Sequence, residues 1–200
     1  MIINISGTGG AGKSWLVTHI MDQYEEKIPR FVEGRKRPIC YIMKKPKNGR
    51  NPDNSLMIPG HYETACGGVD TLAMFKPLLD FVYGMIRSSH SETRSVMYEG
   101  MLIESDVRRC RELHEDGLPI RVLSLDTSLS ECMDSILIRR RRKDPDAGPC
   151  DIKNIELRWR QCRRRVERLR ETGVDARMIS RKAALDECME VLFSKPEHNS

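Results

Sequence analysis

Residues 7–14 fit the phosphate-binding pattern G-x-x-x-x-G-K-[ST] with the sequence Gly7-Thr8-Gly9-Gly10-Ala11-Gly12-Lys13-Ser14. A β-branched run at residues 2–5 precedes this loop, and a helical pattern of apolar residues follows it as far as Pro29. The glycines allow positive φ angles and close approach, so that consecutive backbone N–H groups can surround phosphate oxygens. A strand, this loop and a helix in that order predict a nucleotide-phosphate site.

The motif gives each of its residues an expected role. All eight residues from 7 to 14 are expected to contact the nucleotide, and the helix that follows points its positive end at the phosphates. Lys13 should reach the β- and γ-phosphates, and the hydroxyl of Ser14 should bind Mg²⁺. The expected ligands are therefore ATP and Mg²⁺.

Apolar runs alternate with helical patterns along the rest of the chain. The predicted strands are residues 2–5, 38–43, 95–98, 120–125 and 174–179. The predicted helices include residues 71–87 with a kink at Pro77, residues 105–115, a helix that begins with a capping box at 128–131, residues 154–172, and a last helix ending at Phe193. This order predicts an α/β fold with a five-stranded parallel sheet and helices on both faces. Residues 1–193 are expected to form one domain, and residues 194–200 to fray.

Two acidic residues follow predicted strands. Glu99 ends the apolar run at residues 96–98, which places it near the phosphate-binding loop at the carboxyl edge of the sheet. There it is expected to hold a metal-bound water or to accept a proton from an attacking hydroxyl, although it could instead simply begin a loop. Asp126 also follows a strand, but it precedes a helix start, so a capping or packing role is expected.

An arginine run follows the helix after the fourth predicted strand. It begins with Arg139, Arg140, Arg141 and Arg142, within a predicted lid at about residues 138–153. Such a run can fold over ATP and neutralise charge on the phosphoryl group in transfer. A solvated basic turn is the alternative, but with a phosphate-binding loop upstream at least one of these arginines is expected to contact phosphate.

The charge of the chain is unevenly distributed. The net charge of the 200 residues is +5, whereas residues 30–50 alone carry +7 and residues 139–170 carry +8. Two basic segments on an acidic body indicate a polyanionic partner, either nucleotide phosphates or a nucleic acid. A solvated charged face would also explain the composition.

Composition excludes several classes of protein. An apolar fraction of 39% and a charged fraction of 32% exclude collagen-like and low-complexity chains. No apolar run approaches the roughly 18 residues that span a bilayer, and no secretory leader is visible, so no membrane partner is expected. The seven cysteines contain no C-x-x-C pair. They favour buried thiols in a reducing cytoplasm.

The order of these features resembles the nucleoside and nucleotide kinases of the thymidylate-kinase type. The resemblance covers nearly the whole chain and implies a P-loop kinase fold with an arginine-rich lid. In that family the third strand usually ends in Asp-Arg or Glu-Arg, whereas this one ends in Glu99-Gly100. The missing arginine argues against a free nucleoside monophosphate as the acceptor.

A narrower resemblance is to the bacteriophage 5-hydroxymethyluracil DNA kinases. It rests on the loop at the N-terminus, the segment at residues 60–71, the ending Tyr98-Glu99-Gly100 and the basic load. In its light Tyr62 is expected to stack on a base, and His61 or Glu63 to hydrogen-bond the base or its hydroxymethyl group. An ordinary loop histidine and a packing tyrosine are equally good interpretations.

The basic residues complete this hypothesis. Residues 30–50 and the arginine-rich helix near 154–172, including Arg158 and Arg165, are expected to hold DNA backbone phosphates. The expected activity is ATP-dependent phosphorylation of the hydroxymethyl group of 5-hydroxymethyl-2′-deoxyuridine in DNA, a step in phage thymidine hypermodification. The alternatives are a kinase of a free deoxynucleoside, deoxynucleotide or small metabolite, and a non-catalytic DNA-binding module switched by nucleotide.

Overall fold

The computed structural model describes residues 1–47, 55–63, 67–72, 76–91, 95–100 and 107–193. Within these ranges the chain forms one seven-stranded sheet and six α-helices. The strands are β1 Ile2–Ser6, β2 Tyr24–Arg30, β3 Cys40–Pro46, β4 Leu56–Pro59, β5 Ser95–Glu99, β6 Ile120–Leu125 and β7 Asp175–Ile179. The helices are α1 Lys13–Met21, α2 Lys76–Ser91, α3 Val107–Glu115, α4 Leu129–Arg141, α5 Ile152–Glu171 and α6 Arg181–Phe193.

The sheet is mixed, with the strand order β2-β3-β4-β5-β1-β6-β7. The five strands from β4 to β7 in this order are parallel, whereas β3 runs antiparallel to both β4 and β2. Ile2 of β1 lies between Val96 and Ile120, which sets the register at the centre. The five parallel strands end at one edge of the sheet, here called the carboxyl edge.

Helices cover both faces of the sheet, as predicted. One face buries Ile2 and Val122 beneath α2, α3 and α5. The other buries Ile3 and Ile5 beneath α1 and α6. Central strands that are buried on both sides explain the near-continuous apolar runs of the sequence.

The prediction of a five-stranded parallel sheet is wrong in strand number and in the identity of one strand. The strand predicted at residues 38–43 is β3, which is antiparallel to its neighbours. The parallel neighbour of β5 is instead β4, a short strand that was not predicted. The helix predicted to continue to Pro29 ends at Met21, and β2 follows it. Pairing with β3 and packing of the Tyr24 ring on Phe193, with centroids 5.3 Å apart, override the local helical spacing. Pro29 is tolerated because β2 is an edge strand.

The remaining predicted elements differ only at their boundaries. Pro77 is the second residue of α2 as described, and residues 73–75 before this helix lie outside the described residues, so the predicted kink stays a prediction. The capping box forms at the start of α4, with Ser128 Oγ accepting from the Glu131 backbone N–H. Residues 142–151 of the predicted lid connect α4 to α5. The tail predicted to fray, residues 194–200, lies outside the described residues. Among the described helices, none is both long and apolar enough to cross a membrane.

Candidate active site

The P-loop, residues 7–14, connects β1 to α1 at the carboxyl edge. Gly7, Gly10 and Gly12 have φ angles of 140°, 85° and 96°, which residues with a Cβ rarely adopt. Lys13 is only 9% exposed, and its Nζ donates to the carbonyl oxygens of Gly7 at 2.6 Å and Thr8 at 3.3 Å. The lysine ammonium group is therefore held against the concave side of the loop, where phosphate oxygens would lie.

Residues that follow the neighbouring strand β6 fix the shape of this loop. A Cβ on Gly10 would collide with the backbone carbonyl of Cys132 in α4, so glycine is required here for close approach as well as for its φ angle. Thr127 Oγ1 donates to the Ala11 carbonyl at 3.1 Å. The P-loop is thus packed directly against the start of the helix that leads to the predicted lid.

Ser14 and Glu99 form the acidic part of the site. Ser14 Oγ donates to Glu99 Oε1 at 2.6 Å, and the Glu99 side chain is 3% exposed. The pairing of Ile5 with Glu99 in neighbouring strands places this carboxylate beside the P-loop. Gly68, with φ 87°, packs against Glu99 so closely that any Cβ there would collide with it. The predicted neighbourhood of Glu99 and the P-loop is therefore what the structure shows.

A cavity of about 490 Å³ opens over the P-loop. Its lining brings four cationic side chains together with two carboxylates: Lys13, Arg139, Arg158, Arg181, Asp70 and Glu99. A smaller cavity of about 220 Å³ adjoins it and shares Gly9, Ile136 and Arg158. A concave site of this size with an excess of cations suits a nucleotide that carries several phosphates.

Of the four predicted lid arginines, Arg139, Arg140 and Arg141 lie on α4, and these three differ in position. Arg139 lines the larger cavity. Arg140 lines the smaller one, and its Nη1 donates to the Pro149 carbonyl at 3.2 Å. Arg141 is exposed at the end of α4 and lines neither of these two cavities. The structure therefore brings two of the three toward the P-loop.

The predicted acceptor residues follow β4. His61 is 2% exposed, its Nε2 lies 3.3 Å from Arg37 Nη1, and its backbone N–H donates to Thr71 Oγ1. The ring of Tyr62 packs on Gly67 and lies tilted against Tyr41, with centroids 6.5 Å apart. These contacts correspond to the packing interpretation of both residues rather than to a free base-stacking surface.

Glu63 lies on the outer side of this segment. Burial raises the pKa of the Tyr41 hydroxyl to about 12, so the hydroxyl stays protonated and donates to Glu63 Oε1 at 3.0 Å. Glu63 itself is exposed. Its carboxylate is therefore oriented by Tyr41 and remains accessible from solvent.

The arginines of α5 differ in their surroundings. Arg158 lines both cavities, whereas Arg165 is 6% exposed in the core, with Nη2 3.9 Å from Cys110 Sγ. Arg163 pairs with Asp126 at 2.5 Å and covers the Trp159 ring. Arg165 therefore has a buried position unsuited to a contact with DNA phosphates, whereas Arg160, Arg164, Arg168 and Arg170 are exposed, and the contact of this helix with DNA stays a prediction for them.

Several residues of the larger cavity were missed by the sequence reasoning, among them Asp70, Trp15 and Arg181. Asp70 comes from a short 3₁₀ turn, Trp15 is 50% exposed at the start of α1, and Arg181 follows β7. Arg181 packs closely on Gly12. Its place directly after a parallel strand was the available signal, because such strands end at a common edge.

The buried position of His61 predicts a loss of stability in mild acid. Burial, and then the charge of Arg37, lower the pKa of His61 from its ordinary value of 6.5. As the pH falls, His61 takes up a proton around pH 6.5 in the unfolded chain, whereas in the folded chain it does so only at a lower pH. The free energy of unfolding should therefore fall as the pH drops below about 6.5, by at most about 1.4 kcal/mol per pH unit.

Urea unfolding at pH 7.5 and pH 5.5 measures this effect. The His61→Gln variant should lose less stability between the two pH values than the wild type. The matched variant His114→Gln, which alters an exposed histidine in α3, should behave like the wild type. Equal losses in the wild type and His61→Gln would contradict the assignment.

Comparison with known proteins identifies two relatives that match most of the chain. The chain is 38% identical over 191 residues to the 5-hmdU DNA kinase of Pseudomonas phage PaMx11, with 96% of each chain covered. It is 26% identical over 185 residues to the 5-hmdU DNA kinase of Delftia phage PhiW-14, covering 86% of this chain and 65% of that protein.

A solved structure and the known family models were also compared with the chain. The structure, from the PezAT toxin–antitoxin system of Streptococcus pneumoniae, aligns with a TM-score of 0.43 and 16% identity, covering 99% of this chain and 79% of that one. No protein-family model matches the sequence. From its full-length similarity to the PaMx11 protein, the chain belongs to the family of phage 5-hmdU DNA kinases and is a phosphotransferase.

Proposed function

We propose that this chain uses ATP to phosphorylate the hydroxymethyl group of 5-hydroxymethyl-2′-deoxyuridine within DNA. The observation that carries the proposal is the Ser14–Glu99 pair inside the P-loop cavity. The two phage relatives, which are named 5-hmdU DNA kinases, support it. On this proposal the α/β fold is a P-loop kinase fold, with residues 138–153 as its lid.

The cavity supports a nucleoside triphosphate as the phosphoryl donor. The P-loop amides and Lys13 would hold the β- and γ-phosphates. Arg139, Arg158 and Arg181 line the same cavity and would neutralise the remaining phosphate charge. Arg140 lines the adjoining smaller cavity, and Arg141, at the end of α4, would approach the donor only when the lid folds over it.

The residues present fit a magnesium ion. Ser14 offers a hydroxyl oxygen and Glu99 a carboxylate, and Mg²⁺ prefers such oxygen ligands together with substrate phosphates and water. When bound, Mg²⁺ would neutralise charge that develops on the phosphoryl group. Ser14 would be a direct ligand, and Glu99 would hold a metal-bound water.

The chemical step requires an alcohol close to Glu99. The hydroxymethyl oxygen would attack the γ-phosphorus, the bond from that phosphorus to the bridging oxygen would break, and ADP would leave. Glu99 would orient the hydroxyl and receive its proton, and Lys13 would stabilise the charge on the transferred group. The product would be a phosphomonoester on the base, which provides a leaving group for further modification of the thymidine analogue in the host cytoplasm.

A labelling experiment tests the acceptor. The protein is incubated with γ-³²P-ATP and, in parallel, with DNA containing hydroxymethyluracil, DNA of the same sequence containing thymine, and free 5-hydroxymethyl-2′-deoxyuridine. We expect label in the modified DNA at least about 100-fold above the thymine control, because only the modified base offers the primary alcohol.

The other outcomes assign the alternatives. Label in the free nucleoside but not in DNA would replace the proposal with a small-molecule kinase. ATP binding without transfer to any acceptor would indicate a nucleotide-switched binding module.

A further inference from the structure

The loop between β2 and β3 lies at the same edge of the sheet as the P-loop. Cys40 at the start of β3 pairs with Arg30 on one side and with Pro59, the last residue of β4, on the other. Since β4 is parallel to β5, its end lies on the carboxyl edge, near Glu99. The basic hairpin tip, residues 30–38, therefore projects from the edge that carries the candidate active site.

A short chain of contacts joins this tip to the site. Arg37 Nη1 lies 3.3 Å from His61 Nε2, and the His61 backbone N–H donates to Thr71 Oγ1 at 3.2 Å. Thr71 Oγ1 donates in turn to the Gly68 carbonyl, and Gly68 packs on Glu99. Three residues thus separate the basic hairpin tip from the carboxylate that would act on the acceptor.

The basic hairpin tip presents an apolar ring among positive charges. Phe31 is 56% exposed, and the tip carries one acidic residue, Glu33, and four basic residues, Arg30, Arg35, Lys36 and Arg37. The turn is closed by a hydrogen bond from the Arg35 backbone N–H to the Val32 carbonyl, with Gly34 at φ 77°. Val32 and Ile39 pack into the core beneath it. The turn is therefore attached to the core, and the Phe31 side chain is exposed even though its neighbours are packed.

The burial of Glu99 constrains how a base in DNA could reach it. The hydroxymethyl carbon is a single bond from the pyrimidine ring, whereas the Glu99 side chain is 3% exposed. A base that remains stacked in a duplex cannot bring so short an arm into the cavity. The acceptor nucleotide of a duplex has to be turned out of the helix, which leaves a gap in the base stack.

We propose that the basic hairpin tip is the duplex-DNA contact of this enzyme and that Phe31 enters the base stack at the position vacated by the acceptor nucleotide. This inference rests on the proposed function. Apolar side chains inserted between base steps are a common means of holding such a gap open. The flanking arginines and lysine would hold the backbone phosphates on either side.

Phe31→Ala tests the wedge. The acceptors are one hydroxymethyluracil oligonucleotide presented as a perfect duplex and as a single strand, and the measured quantity is kcat/KM on each. We expect the duplex-to-single-strand ratio of kcat/KM to fall at least about tenfold in Phe31→Ala and to be partly restored in Phe31→Leu. The matched variant Phe81→Ala, which removes a ring that is 44% exposed on α2, should keep the wild-type ratio.

The outcomes separate this inference from the proposed function. If Phe31→Ala keeps the wild-type duplex-to-single-strand ratio of kcat/KM, including through equal losses of kcat/KM on both forms of DNA, the role of Phe31 as a wedge is overturned. The proposed kinase activity is not affected by that result. Absence of transfer by the wild type to either form would overturn the proposed function and the wedge with it. Unchanged thermal unfolding of Phe31→Ala would show that a changed ratio does not come from loss of fold.

The salt dependence of duplex binding tests the charges. The double variant Arg35→Ala/Lys36→Ala should reduce the slope of log K against log salt by about 0.9 for each DNA phosphate that the tip no longer neutralises. Its matched control is Lys44→Ala/Lys47→Ala, which removes the same charge from exposed lysines at the far end of β3. A larger change of slope in the control pair would overturn the assignment of this surface.

Discussion

Replacement of Lys13 by alanine should lower the rate of phosphoryl transfer by about 10³-fold. The physical reason is position: Lys13 Nζ is already held at the concave side of the P-loop by the carbonyls of Gly7 and Thr8. A preorganised cation costs no reorganisation when charge develops on the phosphoryl group, and the low exposure of Lys13 makes its interaction stronger than in water. Single-turnover transfer to hydroxymethyluracil DNA measures the effect.

The control for this variant is Lys182→Ala, which removes an exposed lysine from α6. It should transfer phosphate at the wild-type rate, and both variants should unfold within a few degrees of the wild type. Turnover by Lys13→Ala within about tenfold of the wild type would contradict the placement of the phosphoryl group in the P-loop cavity.

The second large effect is expected for Glu99→Gln, a change that preserves the size of the side chain and one oxygen acceptor for the Ser14 hydroxyl. We expect kcat to fall about 10²- to 10⁴-fold, because the amide can neither accept a proton nor hold a metal-bound water as a carboxylate does. Initial rates at saturating ATP and DNA measure this loss, and Glu171→Gln, at an exposed position at the end of α5, is the matched control.

Two further measurements assign the role of Glu99. If it organises the metal, the Mg²⁺ concentration for half-maximal rate should rise in Glu99→Gln, whereas a pure proton acceptor would leave it unchanged. Since Ser14 and Glu99 share a hydrogen bond, the losses in Ser14→Ala and Glu99→Gln should not add in the double variant. Additive losses in the double variant would contradict a joint site of Ser14 and Glu99. Wild-type-like turnover of Glu99→Gln would contradict it as well.

The parts of the fold that local patterns encode could be predicted from the sequence. The P-loop needs its glycines at fixed spacing, and the capping box needs Ser128 and Glu131 three residues apart. β2 could not be predicted in this way, because Tyr24 and Ile28 have helical spacing and only pairing with β3 makes this segment a strand. β4 is a run of four residues, too short for a periodicity to appear.

The candidate site, like the fold, could be predicted only in part. Glu99 was predictable because it ends an apolar strand next to the P-loop strand. The distribution of roles among the arginines was not, because their number does not show which of them pairs with an acid or enters the core. Arg163 and Arg165 are two residues apart on α5, yet one pairs with Asp126 and the other is buried near Cys110.

The direction of β3 has an electrostatic consequence. The basic residues between positions 30 and 47 belong to one segment of the sequence. In the structure, however, the seven residues of β3 separate those after residue 43 from the hairpin tip by about 20 Å at the rise of a strand. That separation exceeds two Debye lengths at physiological ionic strength. Lys44 and Lys47 would therefore add little to the attraction of a polyanion toward the tip, and the count of basic residues overstates the field that steers it.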